Sequence, residues 1–515
     1  MFSVVEASIA QLRAALESGE ATSVELVEQY FARMEKYDTP ASDTKLNSVV
    51  VRNEYARKEA AESDARRQAG QLRGPLDGIP YTAKDNYMVK GLTVAAGSPA
   101  FTELVAQHDA FIIERLRAAG AICLGLTNMP PMANGGMQRG AYGRAESPYN
   151  EKFLAAPFAS GSSNGSGTST TASFAAFGLG TETWSSGRGP ATNNSLCAFT
   201  PSIGYISVRG MFPLVPTQDV VVPHTRSMAD MLELLDVIVA DDQITRGDFW
   251  REQPWISLPT SSSLRPTSFT ALAHSKETAS LLLAGKRFGI PKMYINADPE
   301  QGTGDGKGMG GSTGQKIVTR QSIVDAWNAT REKLENLGAE VIEVDFPAVT
   351  NYEGDRPGAP KLDSRGLVSP EYLQSEIVDL CAWAWDDYLA QNNDPALHTL
   401  ADVDGKHIFP HPEGALPDRY YGFDDDLASY PQWIKDHPGL KLTDIPHLAE
   451  GLAGLRETCR IDVDQWMDTH GLDAVLFPSV ADIGPANMDV NEDSADLGWR
   501  NGVWVANGNI AIRHL

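Results

Sequence analysis

Cysteine is scarce in this chain, and the spacing of its four cysteines matches no known motif. Cys123, Cys197, Cys381 and Cys459 are scattered through 515 residues without the C-x-x-C spacing of zinc and redox motifs. A disulfide framework and a structural zinc site are therefore not expected, and free thiols fit a reducing cytoplasm. We predict a cytoplasmic protein without a bound metal.

Positive charge and long apolar runs are also lacking. The chain has 43 Lys and Arg against 67 Asp and Glu, a net charge of −24, which disfavours nucleic acid or an anionic membrane as a partner. No apolar run approaches the roughly 20 residues that span a bilayer. The N-terminus has no basic segment followed by an apolar one, so no signal peptide is visible.

Strand-like and helix-like segments alternate from about residue 76, which predicts an α/β fold. The predicted strands of this part are 79–84, 121–126 and 203–208, and the predicted helices are 108–119, 168–178 and 228–239. We expect one compact domain over 1–515, with a helical part at 1–70 and a core at about 74–240. Residues 350–450 are rich in proline, aspartate and tryptophan, which favours a lid-like region over sheet.

Lys84 ends the predicted strand 79–84. A lysine in this position usually reaches solvent, but the neighbouring Gly78, Pro80 and Asn86 and the serine loops downstream favour burial. Burial lowers the pKa of a lysine and makes its neutral amine available as a base. Asp85 beside it would oppose that change by stabilising the ammonium.

Two loops rich in glycine and serine follow. Seven of the eight residues at 160–167 are Gly or Ser, which alone would describe a flexible linker, but a helix-forming segment follows at once. We expect this loop to be fixed at a helix N-terminus, where backbone N–H groups can orient anionic groups. The second loop, 180–190, carries Ser186, 24 positions after Ser162.

Lys84, Ser162 and Ser186 together supply a base, a relay and a nucleophile without any histidine. That combination suggests acyl transfer by an activated serine. The backbone N–H groups of Thr183, Trp184, Ser185 and Ser186 could converge on the developing oxyanion, where one donor is typically worth about 3 kcal/mol of barrier.

These segments resemble the amidase signature family. The resemblance is strong from about 46 to 240 and thinner at 284–346 and 472–515. The matching segments are 74–80, 84–86, 97–98, 120–121, 125–130, 160–167, 180–183, 200–201, Asp219, 226–230 and 234–237. The resemblance implies one α/β domain, a mixed sheet covered by helices on both sides. It also implies an enzyme that hydrolyses amides, esters or carbamates without a cofactor.

Carried over by position, Lys84 matches the family's base, Ser162 its bridging serine, usually on a cis peptide bond, and Ser186 its nucleophile. The backbone of 183–186 matches the family's oxyanion hole. The expected partner is a small amide, carbamate or ester, and a homodimer is left open. Members normally continue past Leu515 with a glycine-rich strand pair and a closing helix, so the resemblance implies an incomplete sequence.

The chain departs from the family around the nucleophile. Trp184 and Ser185 stand where most members have two glycines, and Gly187 stands where most have an aliphatic residue. Trp and Ser resist positive φ, so the oxyanion loop is expected to be reshaped. The segment 184–190, with 135–144 upstream, resembles a bacterial subgroup that contains urethanases, which cleave carbamates of aromatic amines.

The substrate pocket is predicted by position. We expect an apolar, aromatic-accepting wall, and its predicted members beside Trp184 are Met132, Gly135, Gly136 and Tyr142.

Three other interpretations stay open. Residues 161–165 satisfy the G-x-S-x-G elbow of α/β-hydrolases, with Ser163 as nucleophile and His447 or His470 as its partner, although Pro157 makes the preceding strand poor. The chain could instead be the amidase subunit of a glutamine-dependent amidotransferase, which passes ammonia to a partner enzyme. It could also be a binding protein on a degenerate amidase scaffold.

Overall fold

A six-stranded mixed sheet lies at the centre of the protein. The computed structural model describes residues 2–419, 423–499 and 510–515. The strands are β1 (Val49–Arg52), β2 (Pro80–Lys84), β3 (Ile122–Thr127), β4 (Phe177–Glu182), β5 (Cys197–Ala198) and β6 (Val220–Thr225). Their order across the sheet is β1-β3-β2-β4-β6-β5.

The middle of this sheet is parallel and its edges are antiparallel. Strand β2 pairs in parallel with both β3 and β4, whereas β1 is antiparallel to β3, and β6 is antiparallel to β4 and β5. Every residue of β2, β3, β4 and β6 is buried. This is the burial expected of strands that helices cover on both faces, and it places the end of β2 inside the molecule.

A second, smaller sheet is entirely parallel. It consists of β7 (Arg287–Pro291), β8 (Glu340–Val344) and β9 (Ala474–Val475), in the order β8-β7-β9.

Helices pack around both sheets. The α-helices are Ile9–Ser18, Ser23–Tyr37, Ala56–Gln68, Phe111–Ala118, Asn164–Thr171, Arg188–Asn193, Met228–Ile238, Phe249–Glu252, Ser261–Leu264, Lys276–Leu283, Gln321–Asn336, Pro347–Glu353, Pro370–Gln374, Cys381–Asn392, Phe423–Asp436, Leu448–Cys459, Gln465–His470, Glu492–Leu497 and Ile510–His514. Two π-helical segments, Ser375–Leu380 and Arg460–Asp464, interrupt longer helices. None of the helices in the described residues is both long and apolar enough to cross a bilayer.

The fold class predicted from the sequence is confirmed: this is an α/β fold with a mixed sheet and helical cover. The described residues of 350–450 contain helices and no strand. The division into a helical part at 1–70, a core at 74–240 and a lid at 350–450 stays a prediction.

Two local expectations were wrong. Residues 203–208 form turns rather than a strand. The helix expected at 168–178 begins earlier, at Asn164, and the chain is already back in strand β4 at Phe177. Strand β4 was not recognised in the sequence because glycine is untypical of strands. A Cβ at Gly178 would lie 2.4 Å from Thr170 Oγ1, so glycine lets the helix pack this closely on β4.

A buried carboxylate fixes the start of β2. Asp77 accepts hydrogen bonds from Arg66 Nη2 at 2.7 Å and Nε at 3.0 Å, and from Ser63 Oγ and the Arg73 amide. Burial raises the pKa of Asp77, but these donors outweigh it and hold the pKa below its usual range.

We predict that Asp77→Asn lowers the free energy of unfolding by about 3 kcal/mol, because the Arg66 guanidinium loses its charge partner. The folded-state pKa is depressed, so this contribution is present at neutral pH and is lost as the pH falls through that pKa. Urea denaturation at pH 7 and below about pH 3 measures both effects. The control Glu62→Gln, in an exposed pair 3.9 Å from Lys58, should change stability by no more than about 0.5 kcal/mol. Equal losses in both variants would contradict the prediction.

Candidate active site

The amine of Lys84 lies inside the protein, bonded to two hydroxyls. Its Nζ is 2.7 Å from Ser162 Oγ and 2.8 Å from Thr181 Oγ1. Lys84 ends β2 and Thr181 lies in the neighbouring strand β4, so the parallel pairing of these strands brings the two side chains together. Neither Lys84 nor Ser162 exposes any surface to solvent.

Burial lowers the pKa of the Lys84 amine to about 7, against the opposing effect of the Asp219 and Glu182 carboxylates. A substantial fraction of the amine is therefore neutral at pH 7. The opposing charges come from these two residues rather than from Asp85, which was expected to supply one. Asp85 instead accepts the Gly97 amide at 2.9 Å, and its own burial raises its pKa to about 7.

Asp219 and Glu182 are each held by further donors. The Asp219 carboxylate accepts the Thr183 hydroxyl at 2.5 Å and the Leu214 amide at 2.7 Å, and burial raises its pKa to about 7. Glu182 pairs with Arg188, with Nε and Oε1 2.8 Å apart, and it also accepts the backbone amides of residues 187 and 188.

Ser186 lies against the serine-rich loop. It is 3% exposed, and its carbonyl accepts the Ser163 amide at 3.2 Å. The Ser186 hydroxyl makes no hydrogen bond to Ser162 in the described part of the structure. Catalytic hydrogen bonds often tighten only when substrate is bound.

Ser163 is unsuited to be the nucleophile of an α/β-hydrolase elbow. Its hydroxyl donates to the Thr181 carbonyl at 2.9 Å and accepts the Thr181 amide at 3.1 Å. The histidines considered as partners bond elsewhere: His447 Nδ1 lies 2.6 Å from Glu450 on the surface, and His470 Nδ1 lies 2.9 Å from the Trp466 carbonyl.

The four amides of the predicted oxyanion hole, 183–186, lie in the turn that carries Ser186. None of these residues has a positive φ, so the turn needs no glycine at Trp184 or Ser185. The Ser185 amide donates to Ser160 Oγ at 3.0 Å. The cis peptide bond that the family resemblance implied at Ser162 is absent, since all peptide bonds in the described residues are trans.

Two of the predicted pocket residues contact the serine-rich loop through their backbones. The Gly135 carbonyl accepts the Gly161 amide at 3.4 Å, and the Gly136 carbonyl accepts Asn164 Nδ2 at 2.7 Å. A Cβ at Gly136 would lie 2.0 Å from the Pro157 carbonyl, so glycine permits this close approach.

The other two predicted pocket residues are less closely tied to the loop. Met132 is buried and has a φ of 54°, and its amide donates to the Ala96 carbonyl at 2.7 Å. Tyr142 is half-buried, and its carbonyl accepts Asn47 Nδ2. Contact of any of these four residues with substrate stays a prediction.

Sequence reasoning missed the contacts that Thr181, Ser160 and His224 make in this site. His224 Nε2 is 2.9 Å from the Gly187 carbonyl, and burial lowers the pKa of this histidine to about 4. Recognising β4 as a strand beside β2 would have placed Thr181 next to Lys84. In the described residues no group of three or more His, Cys, Asp or Glu side chains is arranged to hold a metal ion.

Known proteins share both sequence and fold with this chain. Residues 25–274 match the family described as Amidase. A glutamyl-tRNA(Gln) amidotransferase subunit from Synechococcus sp. (strain CC9605) is 35% identical over 237 residues, which are 46% of this chain and 46% of that protein. The corresponding subunit from Exiguobacterium sibiricum is 30% identical over 348 residues, 67% of this chain and 62% of that protein. The chain thus spans less than two thirds of the length of these relatives.

Solved structures align over nearly the whole chain. Native peptide amidase from Stenotrophomonas maltophilia has a TM-score of 0.66 at 24% identity, covering 99% of this chain and 96% of its own. A 6-aminohexanoate cyclic dimer hydrolase has a TM-score of 0.64 at 18% identity, covering 99% and 88%. At these identities the structures show a shared fold. With the family match over residues 25–274, we conclude that the chain belongs to the amidase signature family.

Proposed function

We propose that this protein is a serine amidohydrolase that cleaves the C–N bonds of amides and aryl carbamates. In this proposal Ser186 is the nucleophile, Ser162 the proton relay and Lys84 the base. The observation that carries the proposal is the buried Lys84 amine, which lies 2.7 Å from the Ser162 hydroxyl and whose pKa is lowered to about 7. No metal or cofactor takes part in the proposed steps.

Acylation begins with two proton transfers. The neutral Lys84 amine accepts the proton of Ser162, which accepts the proton of Ser186, and Ser186 Oγ attacks the substrate carbonyl carbon. A neutral amine offers two N–H donors and one lone pair. Donation to the Thr181 hydroxyl therefore leaves the lone pair free to face Ser162.

The tetrahedral intermediate then collapses. The relay returns the proton to the nitrogen of the scissile bond, the amine departs, and an acyl- or carbamoyl-enzyme remains on Ser186. Water activated by the same relay attacks this ester and releases the acid. A carbamic acid formed in this way would lose CO2.

Two opposing effects set the pKa of Lys84, the proposed base. Burial favours the neutral amine of Lys84 before the reaction, whereas the carboxylates of Asp219 and Glu182 stabilise the ammonium that forms when it takes up the proton. A base whose pKa lies near the working pH is efficient in both directions of proton transfer.

The proposal of aryl carbamates as substrates depends on Trp184. Its ring is half-buried and packs against both large apolar clusters of the protein, next to the nucleophile. Such a surface suits an aromatic leaving amine. We propose Met132, Gly135, Gly136 and Tyr142 as further parts of the wall, and small molecules as the substrates. A panel of aryl carbamates, anilides, esters and primary amides tests this, and a preference for primary amides would contradict it.

The curated relatives favour a second candidate, a subunit of an amidotransferase. Those proteins are named as subunits of glutamyl-tRNA(Gln) amidotransferase. Glutaminase activity that appeared only with a partner protein would support this candidate, and hydrolysis of aryl carbamates by the isolated chain would oppose it.

A cytoplasmic location and homodimer formation also stay proposals. The four cysteines are free thiols, which fits the reducing cytoplasm.

We predict that Ser186→Ala and Lys84→Met each lower kcat/KM for an aryl carbamate by about 10⁴-fold or more, because the three side chains act as one unit. A fluorophosphonate should label Ser186 in the wild type, as read by mass spectrometry of the modified peptide. Labelling of Ser163 together with full turnover by Ser186→Ala would refute the assignment, and no labelling at all would favour a binding protein.

We also predict a pH profile with an acid limb near pH 7. The pKa of Lys84 is lowered to about 7, so the active neutral amine is lost as the pH falls through that value. Asp219→Asn removes a charge that raises this pKa and should move the limb to lower pH. The control Asp85→Asn should leave the limb in place. The log of kcat/KM plotted against pH measures both, and an unmoved limb in Asp219→Asn would be inconsistent with the proposed base.

A further inference from the structure

Ser160 and Ser185 form a reciprocal hydrogen-bonded pair where the two serine loops meet. The Ser185 amide donates to Ser160 Oγ at 3.0 Å, and Ser185 Oγ donates to the Ser160 carbonyl at 2.9 Å. Ser185 is fully buried and Ser160 is 2% exposed. Two bonds between the same two residues fix both the separation and the relative orientation of the loops.

The peptide group between Trp184 and Ser185 is held at both ends. Its N–H is the donor to Ser160, and its carbonyl accepts Arg188 Nη2 at 2.5 Å. Rotating this peptide to turn the N–H towards a substrate would break both bonds, in a buried region where unpaired polar groups are costly. The Ser185 amide is therefore committed to Ser160.

The next peptide group, between Ser185 and Ser186, is held at only one end. Its carbonyl accepts the Gly189 amide at 2.8 Å. Its N–H, which belongs to Ser186, has no acceptor among the described residues. This N–H is the one that the turn leaves for a developing oxyanion.

The residue after the nucleophile is fixed as well. The carbonyl of Gly187 accepts His224 Nε2, and its amide donates to the Glu182 carboxylate at 3.1 Å. Since burial lowers the pKa of His224 to about 4, the ring is neutral near pH 7 and carries its proton on Nε2. A Cβ at Gly187 would lie 2.5 Å from Val222 Cγ1, so glycine is required here.

We propose that Ser160 is a positioning residue for the nucleophile turn. It fixes the Trp184–Ser185 peptide, keeps the Ser185 amide out of the oxyanion hole and thereby aims the Ser186 amide at the oxyanion. The inference rests on the proposed function. It changes the predicted hole of 183–186 by removing Ser185 as a donor to substrate.

Paired variants separate the two hydrogen bonds. Ser160→Ala removes the acceptor of the Ser185 amide, whereas Ser185→Ala keeps that bond and removes the side-chain bond to the Ser160 carbonyl. We expect Ser160→Ala to lower kcat for an aryl carbamate by about 10- to 100-fold, up to the range seen when one oxyanion donor is lost. KM and the acid limb of the pH profile should stay unchanged, and Ser185→Ala should lose markedly less activity.

Ser23→Ala is the matched control for loss of a buried serine pair. Ser23 Oγ donates to Ser63 Oγ at 3.2 Å, with neither side chain exposed, between helices far from the turn along the chain. This variant should keep the wild-type kcat. Turnover by Ser160→Ala at or above the wild-type rate would overturn the inference, because it would mean that the released Ser185 amide serves the oxyanion.

A crystal structure of the wild-type enzyme modified by a fluorophosphonate provides a test that needs no variant, should Ser160→Ala fail to fold. The phosphoryl oxygen should lie within hydrogen-bond distance of the Ser186 amide, with the Ser185 amide still on Ser160 Oγ. A phosphoryl oxygen bonded to the Ser185 amide would overturn the inference while leaving the proposed function intact. Failure of the reagent to modify Ser186 would instead overturn the proposed function.

Discussion

The neutral state of one buried amine is the condition on which the candidate site depends. Lys84 ends a strand in the middle of the sheet, and its nearest polar partners are two hydroxyls rather than a carboxylate. A lysine in direct contact with an acid would remain an ammonium and could not take a proton from serine. Here the charges of Asp219 and Glu182 act without direct pairing and only moderate the effect of burial.

Close packing of backbone on backbone surrounds this amine. A Cβ at Gly165 would lie 2.4 Å from the Asn128 amide nitrogen, and one at Gly161 would lie 2.4 Å from the Pro157 carbonyl. The glycines of the serine-rich loop therefore serve close packing rather than flexibility. The serines bond to neighbouring backbone, as Ser163 does with both polar groups of Thr181. Dense packing of this kind removes water and strengthens the effect of burial on Lys84.

Much of the fold could be predicted from the sequence where the periodicity was strong. The helices predicted at 108–119 and 228–239 are confirmed as Phe111–Ala118 and Met228–Ile238. Strands β2 and β3 lie within one residue of their predicted bounds. Strand β4 could not be recognised because Gly178 and Gly180 break its apolar pattern for a reason that only the packed helix reveals.

The candidate site likewise contains residues that could be predicted from the sequence and residues that could not. Lys84 and Ser162 could be named because their segments match a family pattern, and the structure brings them into contact. Thr181 and Ser160 could not be named, because their importance arises from contacts between residues far apart in the chain. The pairing of Ser160 with Ser185 also explains how this turn forms without the two glycines that most family members have.

Direct titration of the Lys84 amine is the sharpest test of this account. Lysine labelled with ¹³C at Cε allows the pKa to be read by NMR, and Lys84→Met identifies the resonance. We expect a midpoint near 7 in the free enzyme. A midpoint near the ordinary lysine value of about 10.4 would show that the amine is charged at neutral pH and would contradict its role as the base.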